Sequence, residues 1–295
     1  MNDVNGRRQP VTTSRQITES VLAAVDATPD PRIREIVTAL IRHAHDLARE
    51  VRLQPDELLA ATRFLQACGN ISDAARHEFI LLSDVLGMTM VVDTLAVDVP
   101  DGALETSVLG PFHRVGAPVE VNGANISRGV DDGEPAHVFG RILNADGEPL
   151  PGAELDVWGT NCHGLYENVD PSQPDFNLRG RFFADADGRY DIWTVKPVSY
   201  PIPDDGPVGD LLRATGRNNM RPGHFHLIAS ADGYRTIVTE LYTDDDPHLA
   251  TDAVFGVKPS LIVHYEWTSG DGDSAGGLAS APHWELQHDI VLVPG

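Results

Sequence analysis

Two histidines separated by a single residue, His224 and His226, are the side chains whose spacing most clearly favours chemistry in this sequence. In a β-strand, residues i and i+2 point to the same face, so both imidazoles can reach one point while Phe225 turns into the opposite layer. Imidazole is a common ligand of iron, copper, nickel and zinc. The spacing alone leaves two interpretations open: a metal site, or two satisfied polar residues in a strand.

The composition of the 295-residue chain limits what the protein can be. A hydrophobic content of 41% allows one large domain, or one domain with a helical appendage. The net charge of -22 argues against nucleic-acid binding, which requires basic residues against the phosphates. Two cysteines, Cys68 and Cys162, make neither a disulfide framework nor a Cys-rich zinc site. We expect a cytoplasmic protein, because the sequence has no membrane span and no signal peptide at its polar start.

Helical periodicity marks the N-terminal part of the chain. Apolar residues recur at intervals of three and four after Asp30-Pro31, a capping residue followed by a proline suited to the first helical turn. A second helix is predicted to start near Pro55. A third helix, capped by Ser72, is predicted to run unbroken to about Leu95.

The remainder of the chain is typical of an antiparallel β-sandwich, since short strands alternate with turns rich in Gly, Asp and Pro. Residues 153–158 are predicted to return along the strand at 138–143 as a hairpin. The predicted fold class is α+β, an N-terminal helical region followed by a predominantly antiparallel sandwich. The predicted parts are a flexible tail at 1–15, helices at 16–98, and a catalytic sandwich at 99–295 that includes a flexible loop at 268–282.

Five short motifs carry a resemblance to a known family. They are Leu109-Gly110-Pro111-Phe112, Gly164-Leu165-Tyr166, Val195-Lys196-Pro197 with Tyr200-Pro201-Ile202-Pro203, Arg221-Pro222-Gly223-His224-Phe225-His226, and Val254-Phe255-Gly256-Val257-Lys258. Together they resemble the intradiol ring-cleaving dioxygenases, non-haem iron(III) enzymes that open catechols. The resemblance covers about residues 17–267, and the helical start matches the catechol and hydroxyquinol branch.

The resemblance implies a set of metal ligands and a catalytic role for two residues. Carried onto this chain, the ligands of Fe(3+) are Tyr166, Tyr200, His224 and His226. Phenolate is a hard anionic donor that favours iron(III) over iron(II), and a bound cation can deprotonate groups that are neutral in water. In the family's mechanism the diol chelates the metal, while Tyr200 leaves the metal and takes a proton. Arg221 supplies positive charge where oxyanion character develops.

The resemblance also implies a substrate pocket. Leu81 and Asp84 lie one helical turn apart, and Asp84 could accept a hydrogen bond from an extra ring hydroxyl. We therefore expect hydroxyquinol (1,2,4-trihydroxybenzene) as the preferred substrate, with catechol or chlorocatechol as the alternative. Several relatives have Gln where this chain has Glu240, which acts as an acceptor or base if it faces the site. The predicted pocket residues are Leu81, Asp84, Val108, Leu109, Gly110, Pro111, Phe112, Ile202, Pro203, Glu240 and Val254.

Other interpretations and partners remain open. A transthyretin-like β-sandwich binding module would explain the strands and the acidic surface without catalysis. An extradiol-type iron(II) oxygenase would need two histidines and one carboxylate, which Glu240 could supply. The resemblance further implies a homodimer through the N-terminal helices, with a phospholipid at the dimer interface in some family members.

Overall fold

The structure of the protein, a computed structural model, describes residues 13–73, 76–96, 102–129, 132–270 and 278–295. Contacts divide the chain into two compact units between Ala67 and Cys68. The described helices are α1 (Ser14–Val25), α2 (Pro31–Glu50), α3 (Pro55–Ile71), α4 (Glu78–Val85), α5 (Met88–Ala96) and α6 (Pro207–Ala214). The predicted boundary between residues 98 and 99 stays a prediction. Residues 1–12 of the predicted tail lie outside the described residues, but Ser14 and Arg15 already belong to α1. Residues 271–277 of the predicted loop at 268–282 also lie outside the described residues.

The N-terminal unit is helical, and its helices begin at the predicted signals. Asp30 caps α2 by accepting hydrogen bonds from the backbone N–H groups of Arg32 and Ile33, at 2.8 and 3.0 Å. Pro31 occupies the first turn, where its missing N–H costs nothing. The helix α3 begins at Pro55, as predicted.

The prediction of one continuous third helix is wrong. The chain forms two helices, α4 and α5, with a bend of 76° between them. Gly87 lies at this bend with φ of +70°, a left-handed conformation that a side chain disfavours. The bend allows Thr89 Oγ1 to donate a 2.5 Å hydrogen bond to Asp84 Oδ1. Among the described helices, no single one is both long and apolar enough to cross a bilayer, and only the bent α4–α5 pair passes that test by length and composition.

The second unit contains two sheets and a short two-stranded ribbon. The strands are β1 (Ala124–Asn125), β2 (Pro135–Asn144), β3 (Glu154–Trp158), β4 (Arg179–Phe183), β5 (Arg189–Val195), β6 (Tyr200–Pro201), β7 (Met220–Arg221), β8 (His224–Ser230), β9 (Ile237–Thr243), β10 (Ile262–Val263), β11 (Glu266–Thr268), β12 (His283–Gln287) and β13 (Ile290–Leu292). The six-stranded sheet has the order β1-β5-β2-β12-β11, with β13 also paired to β2. The five-stranded sheet has the order β10-β9-β8-β3-β4, and β6 pairs with β7.

The α+β class with a sandwich is confirmed, although the sheets are mixed. Among the described strands, six pairings are antiparallel, and the pairings β1–β5, β9–β10, β2–β12 and β2–β13 are parallel. Side chains from both sheets, such as Val138, Ile192, Val157 and Leu227, share one core in which each is at most 1% exposed. The five-stranded sheet therefore has one face in the core and one face turned away from it, where the site lies.

The predicted hairpin between β2 and β3 is wrong, since these strands belong to different sheets. A tight turn does form, and Leu150 N–H donates to Ile142 O at 2.9 Å. Pro151 then has no N–H with which to continue the ladder, and Gly152 adopts φ of +75°. The chain crosses to the other sheet at this point, so that β3 lies beside β8.

Candidate metal centre and active site

The strand β8 presents two histidines to the face of its sheet that is turned away from the core. His224 and His226 alternate with Phe225, whose ring is buried in the core cluster, so the predicted orientation is confirmed. The strand register places Glu240 of β9 and Trp158 of β3 directly opposite His226, one on each side. Two neighbouring strands therefore determine what surrounds the imidazoles.

Two tyrosines from separate segments approach these imidazoles. Tyr166 lies between β3 and β4, and Tyr200 begins β6, where it pairs with Arg221 of β7. Both tyrosine rings are buried, and they meet edge to face with 5.6 Å between centroids. Gly164 permits this approach, because a Cβ at that position would lie 2.3 Å from Tyr200 Cβ.

Four donor atoms converge on one point between these side chains. The hydroxyl oxygen of Tyr166 lies 3.1 Å from that of Tyr200 and 3.0 Å from His226 Nε2. His224 Nε2 lies 3.4 Å from the Tyr200 oxygen and 3.1 Å from His226 Nε2. Ligand bonds of about 2.0–2.1 Å place neighbouring ligands roughly 3.0–3.5 Å apart. The four separations therefore fit the ligands of a single metal ion.

The protonation states of these groups also fit a metal site. His224 Nδ1 donates a 2.7 Å hydrogen bond to Pro222 O, which leaves the lone pair on Nε2. Burial lowers the pKa of His224 and His226, so both imidazoles are neutral. Burial raises the pKa of the Tyr166 and Tyr200 hydroxyls, so a phenolate at either position needs a nearby cation. A bound metal ion supplies that charge.

Glu240 offers a second donor set, since ligand atoms of His224, His226 and Glu240 lie within 4.8 Å of one another. The Glu240 carboxylate is already engaged, however. Arg221 Nη1 and Nη2 donate to its two oxygens at 2.7 and 2.9 Å, and Ser107 Oγ donates at 2.8 Å. His226 turns Nδ1 towards this carboxylate, at 3.4 Å, and Nε2 towards the tyrosines. The tyrosine oxygens thus complete the donor set that fits a metal ion better.

Arg221 is a buried cation held at the edge of the donor set. Its Nε donates to Asp252 Oδ1 at 3.2 Å, its Nη2 donates to Tyr242 at 3.0 Å, and its Nη1 lies 3.2 Å from His224 Nε2. Burial opposes its charge, but Glu240 and Asp252 raise its pKa well above the ordinary value. Burial likewise opposes the Glu240 charge, and Arg221 overcomes this by lowering the Glu240 pKa. Glu240 therefore faces the site as an ionised partner of Arg221.

Aromatic rings and one glycine surround the donor atoms. Trp158 stacks on His226 with 4.6 Å between centroids and 8° between planes. Phe112 stacks on Tyr166 at 4.5 Å and 25°. A Cβ on Gly110 would lie 3.4 Å from His226 Cε1, so the loop backbone passes close to this ring. Gly110 and Phe112, predicted for the pocket, thus lie beside the predicted ligands.

The other predicted pocket residues differ in their burial. Asp84 is buried, its burial raises the carboxyl pKa, and the Arg221 charge acts to lower it. Asp84 is therefore electrostatically linked to the site, while the roles of the whole predicted set stay predictions. Val108, Ile202 and Val254 are buried, Leu81 is half-buried, and Leu109, Pro111 and Pro203 are exposed.

Sequence reasoning missed Trp158, Tyr242, Asp252 and Ser107. Tyr242 lies two residues after Glu240 on β9, so strand alternation could have placed both on the same face. The hydroxyl of Tyr242 donates a short hydrogen bond to Glu240. Trp158, Asp252 and Ser107 carry no local signal, because their positions depend on sheet register and on loops far away in the chain.

The comparisons with known proteins agree with this arrangement. The family models "Dioxygenase" and "Catechol dioxygenase N terminus" match residues 108–294 and 30–103. A hydroxyquinol 1,2-dioxygenase of Rhizobium sp. (strain MTP-10005) is 45% identical over 93% of this chain and 93% of its own. A catechol 1,2-dioxygenase of Candida albicans is 36% identical over 95% of this chain and 92% of its own.

A solved structure extends the similarity to the fold. The crystal structure of hydroxyquinol 1,2-dioxygenase from Pseudomonas putida DLL-E4 is 43% identical and has a TM-score of 0.89. The match covers 96% of this chain and 99% of the Pseudomonas putida chain. The fold and the site thus define a dioxygenase of the α+β sandwich class. The chain belongs to the intradiol ring-cleavage dioxygenase family, and it is an enzyme of that type.

Proposed function

We propose that this enzyme is a non-haem iron(III) dioxygenase that opens hydroxyquinol with O2 between carbons bearing adjacent hydroxyl groups. The product is 3-hydroxy-cis,cis-muconate or maleylacetate. The observation that carries the proposal is the convergence of two phenol oxygens and two imidazole Nε2 atoms at separations of 3.0 to 3.4 Å. This donor set is poised for a hard trivalent cation, because the two oxygens become anionic when such an ion is bound.

Four residues of this chain would hold the iron: Tyr166, Tyr200, His224 and His226. The bound ferric ion would act as a Lewis acid that holds the diol and makes its ring susceptible to O2. The donors are buried among aromatic rings, and electrostatic interactions are stronger in such a low-dielectric environment than in water. Trp158 and Phe112 fix the orientation of one imidazole and one phenol by stacking.

Tyr200 is the residue that takes a proton from the incoming diol. Its ring lies on the two-stranded ribbon directly opposite Arg221, whose positive charge acts to lower the Tyr200 pKa against the effect of burial. Tyr166 is instead covered by the Phe112 ring, and burial raises the pKa of its hydroxyl well above the ordinary value. The two tyrosines therefore have different environments: the Arg221 charge acts on the Tyr200 hydroxyl, whereas the buried Arg179 guanidinium lies over the Tyr166 ring, with its Cζ 6.0 Å from the ring centroid.

Arg221 stabilises the negative charge that develops on the substrate. Glu240 and Asp252 hold the guanidinium rigidly, so its Nη1 stays 3.2 Å from His224 Nε2. A preorganised, buried cation needs no rearrangement when charge develops. Glu240 acts through Arg221, and it is a positioning residue.

Asp84 supports hydroxyquinol as the substrate. This carboxylate is buried, already accepts one hydrogen bond from Thr89, and lies within the field of Arg221. A third ring hydroxyl could donate to it, whereas catechol has no such group. We propose that the apolar part of the ring contacts the remaining predicted pocket residues: Leu81, Val108, Leu109, Gly110, Pro111, Phe112, Ile202, Pro203 and Val254.

We also propose a cytoplasmic homodimer that pairs through its N-terminal helices, with a phospholipid at the interface. The supporting feature is an apolar surface on α2, where Ile33, Ile36, Leu40 and Leu47 are each more than half exposed. Such a surface favours burial against a partner. Light scattering at micromolar concentration tests this, and a monomer would contradict it.

The function is tested by steady-state assays with hydroxyquinol, catechol and chlorocatechol in parallel. We expect kcat/KM to be highest for hydroxyquinol and the product to be the muconate. A preference for catechol would favour the alternative catechol 1,2-dioxygenase, and semialdehyde products would indicate extradiol cleavage instead.

A further inference from the structure

A second group of metal-ligating side chains shares no residue with the catalytic site. His137 lies on β2, and His283 and Glu285 lie two residues apart on β12. Glu285 is the direct neighbour of His137 across the parallel β2–β12 pair. One ligand atom from each of the three residues lies within 4.8 Å of the other two. We propose that these residues, the β2–β12 cluster, bind a divalent transition-metal ion such as Zn²⁺.

The hydrogen bonds of His283 prepare one ring nitrogen for a metal. Its Nδ1 lies 2.7 Å from the carbonyl oxygen of Ala281, which can only accept, so Nδ1 carries the hydrogen. The Nε2 atom then faces Glu285 Oε1 at 3.3 Å. Tetrahedral zinc with bonds of about 2.0–2.2 Å places its ligands roughly 3.3–3.5 Å apart. The two atoms therefore have the separation of neighbouring zinc ligands.

Asp191 of β5 holds the His137 ring by a hydrogen bond. His137 Nε2 lies 2.9 Å from Asp191 Oδ1, and a hydrogen bond donated to this carboxylate leaves the ring's lone pair on Nδ1. A carboxylate behind a metal-bound imidazole fixes the ring and makes it a stronger ligand.

Aromatic packing holds both imidazoles in place. Trp193 stacks on His137 with 4.5 Å between centroids and 5° between planes, and it meets His283 at 4.7 Å. Phe139 stacks on the His137 ring at 4.6 Å. Rings locked by packing lose little freedom when they bind an ion. His283 is 2% exposed, whereas the Glu285 side chain is 41% exposed, so an ion can enter from the Glu285 side.

The donor types define the class of ion. Two imidazoles and one carboxylate suit divalent transition metals such as zinc, copper, nickel, cobalt or iron, and do not suit magnesium or calcium, which prefer oxygen donors. Three protein ligands leave a fourth position for water. The ion links β12 to β2 on the outer face of the six-stranded sheet, and it stabilises the attachment of β12.

Zinc uptake by the untagged, iron-loaded protein tests the proposal. The protein is equilibrated with ZnCl2 and desalted, and both metals are measured by mass spectrometry. We expect one zinc per chain with the iron content unchanged. His283→Gln and Glu285→Gln should each lower zinc affinity at least ten-fold. The matched control is His264→Gln, which removes an exposed histidine paired with Asp244 at 2.7 Å and should leave uptake unchanged.

A second measurement keeps the proposal testable if the buried His283→Gln variant does not fold. In that case the test relies on Glu285→Gln, whose side chain is partly exposed. Zinc should raise the unfolding temperature of the wild type but not of the Glu285→Gln variant. Equal zinc uptake by wild type and Glu285→Gln overturns the proposal. The absence of zinc uptake by the wild type overturns it as well, and so does zinc gained only in proportion to iron lost.

Discussion

Arg221 and Glu240 form a buried ion pair in which two parallel hydrogen bonds, of 2.7 and 2.9 Å, join the guanidinium to the carboxylate. The two side chains are 4% and 0% exposed. This geometry fixes the plane of the guanidinium as well as its position. We therefore propose that Glu240 affects the reaction through the placement of Arg221, beside the donor atoms of the candidate metal site.

Removing the Glu240 carboxylate should destabilise the protein strongly. Glu240→Ala leaves Asp252 as the remaining ion-pair partner of the buried Arg221 among the described residues, so the free energy of unfolding should fall by about 3–5 kcal/mol. Denaturant unfolding followed by circular dichroism measures this. Glu266→Ala, on an exposed position of β11, is the control and should change stability by less than about 0.5 kcal/mol. A similar small change for both variants would contradict the role of the ion pair.

Arg221→Lys should separate charge from geometry. Lysine keeps the positive charge but cannot make the two parallel hydrogen bonds, so the cation is no longer held beside His224. We expect kcat to fall by roughly 10²–10³, the range found when one preorganised donor is lost. The iron content should stay at the wild-type level. A variant with unchanged kcat, or one that loses its iron, would assign Arg221 a different role.

The close approach of Gly164 to Tyr200 should be essential for the metal site. An alanine Cβ would lie 2.3 Å from Tyr200 Cβ, so Gly164→Ala should displace this ring and reduce the iron content per chain. Gly147→Ala is a matched control, since Gly147 also has positive φ, at +80°, but its Cβ would meet nothing within 4 Å. Both variants should lose about 1–2 kcal/mol of stability from the left-handed backbone. Only Gly164→Ala should lose iron, and equal iron contents would be inconsistent with this explanation.

Asp84 should determine substrate preference. Asp84→Asn removes the charged acceptor for the third ring hydroxyl, so kcat/KM for hydroxyquinol should fall about 10- to 100-fold, as expected for a lost hydrogen bond to a charged group. The value for catechol should change much less, and it serves as the internal control. A parallel loss for both substrates would indicate that Asp84 supports the fold through Thr89 instead.

The local parts of this site could be predicted from sequence, and the parts that depend on register could not. The two histidines of β8 share a face because strand alternation is a local property. The helix start at Asp30 is also local, whereas the bend at Gly87 interrupts a largely apolar stretch in which one isolated glycine does not by itself indicate a break. Whether Glu240 faces the site depends on the pairing of β9 with β8, and the spacing of residues along one strand does not reveal this.

The β2–β12 cluster is a clearer case of a site that strand register creates and that the sequence alone does not predict. His137 and His283 are far apart in the chain and have no common spacing that would indicate a metal site. Only the parallel pairing of a C-terminal strand with β2 brings them together. Likewise, only the family resemblance indicates Tyr166 and Tyr200 as candidate ligands, since a single tyrosine has no sequence feature that distinguishes a ligand from a core residue.

The visible spectrum of the iron-loaded protein tests the central claim most directly. Two tyrosine oxygens on ferric iron should give a broad charge-transfer band and a red-brown protein, and Tyr200→Phe should lose part of this band and most of the activity. Tyr265→Phe is the control, because the buried Tyr265 hydroxyl makes no hydrogen bond among the described residues, and its removal should leave the colour unchanged. A colourless protein after iron loading, or a Tyr200→Phe variant with full colour and activity, would contradict the account.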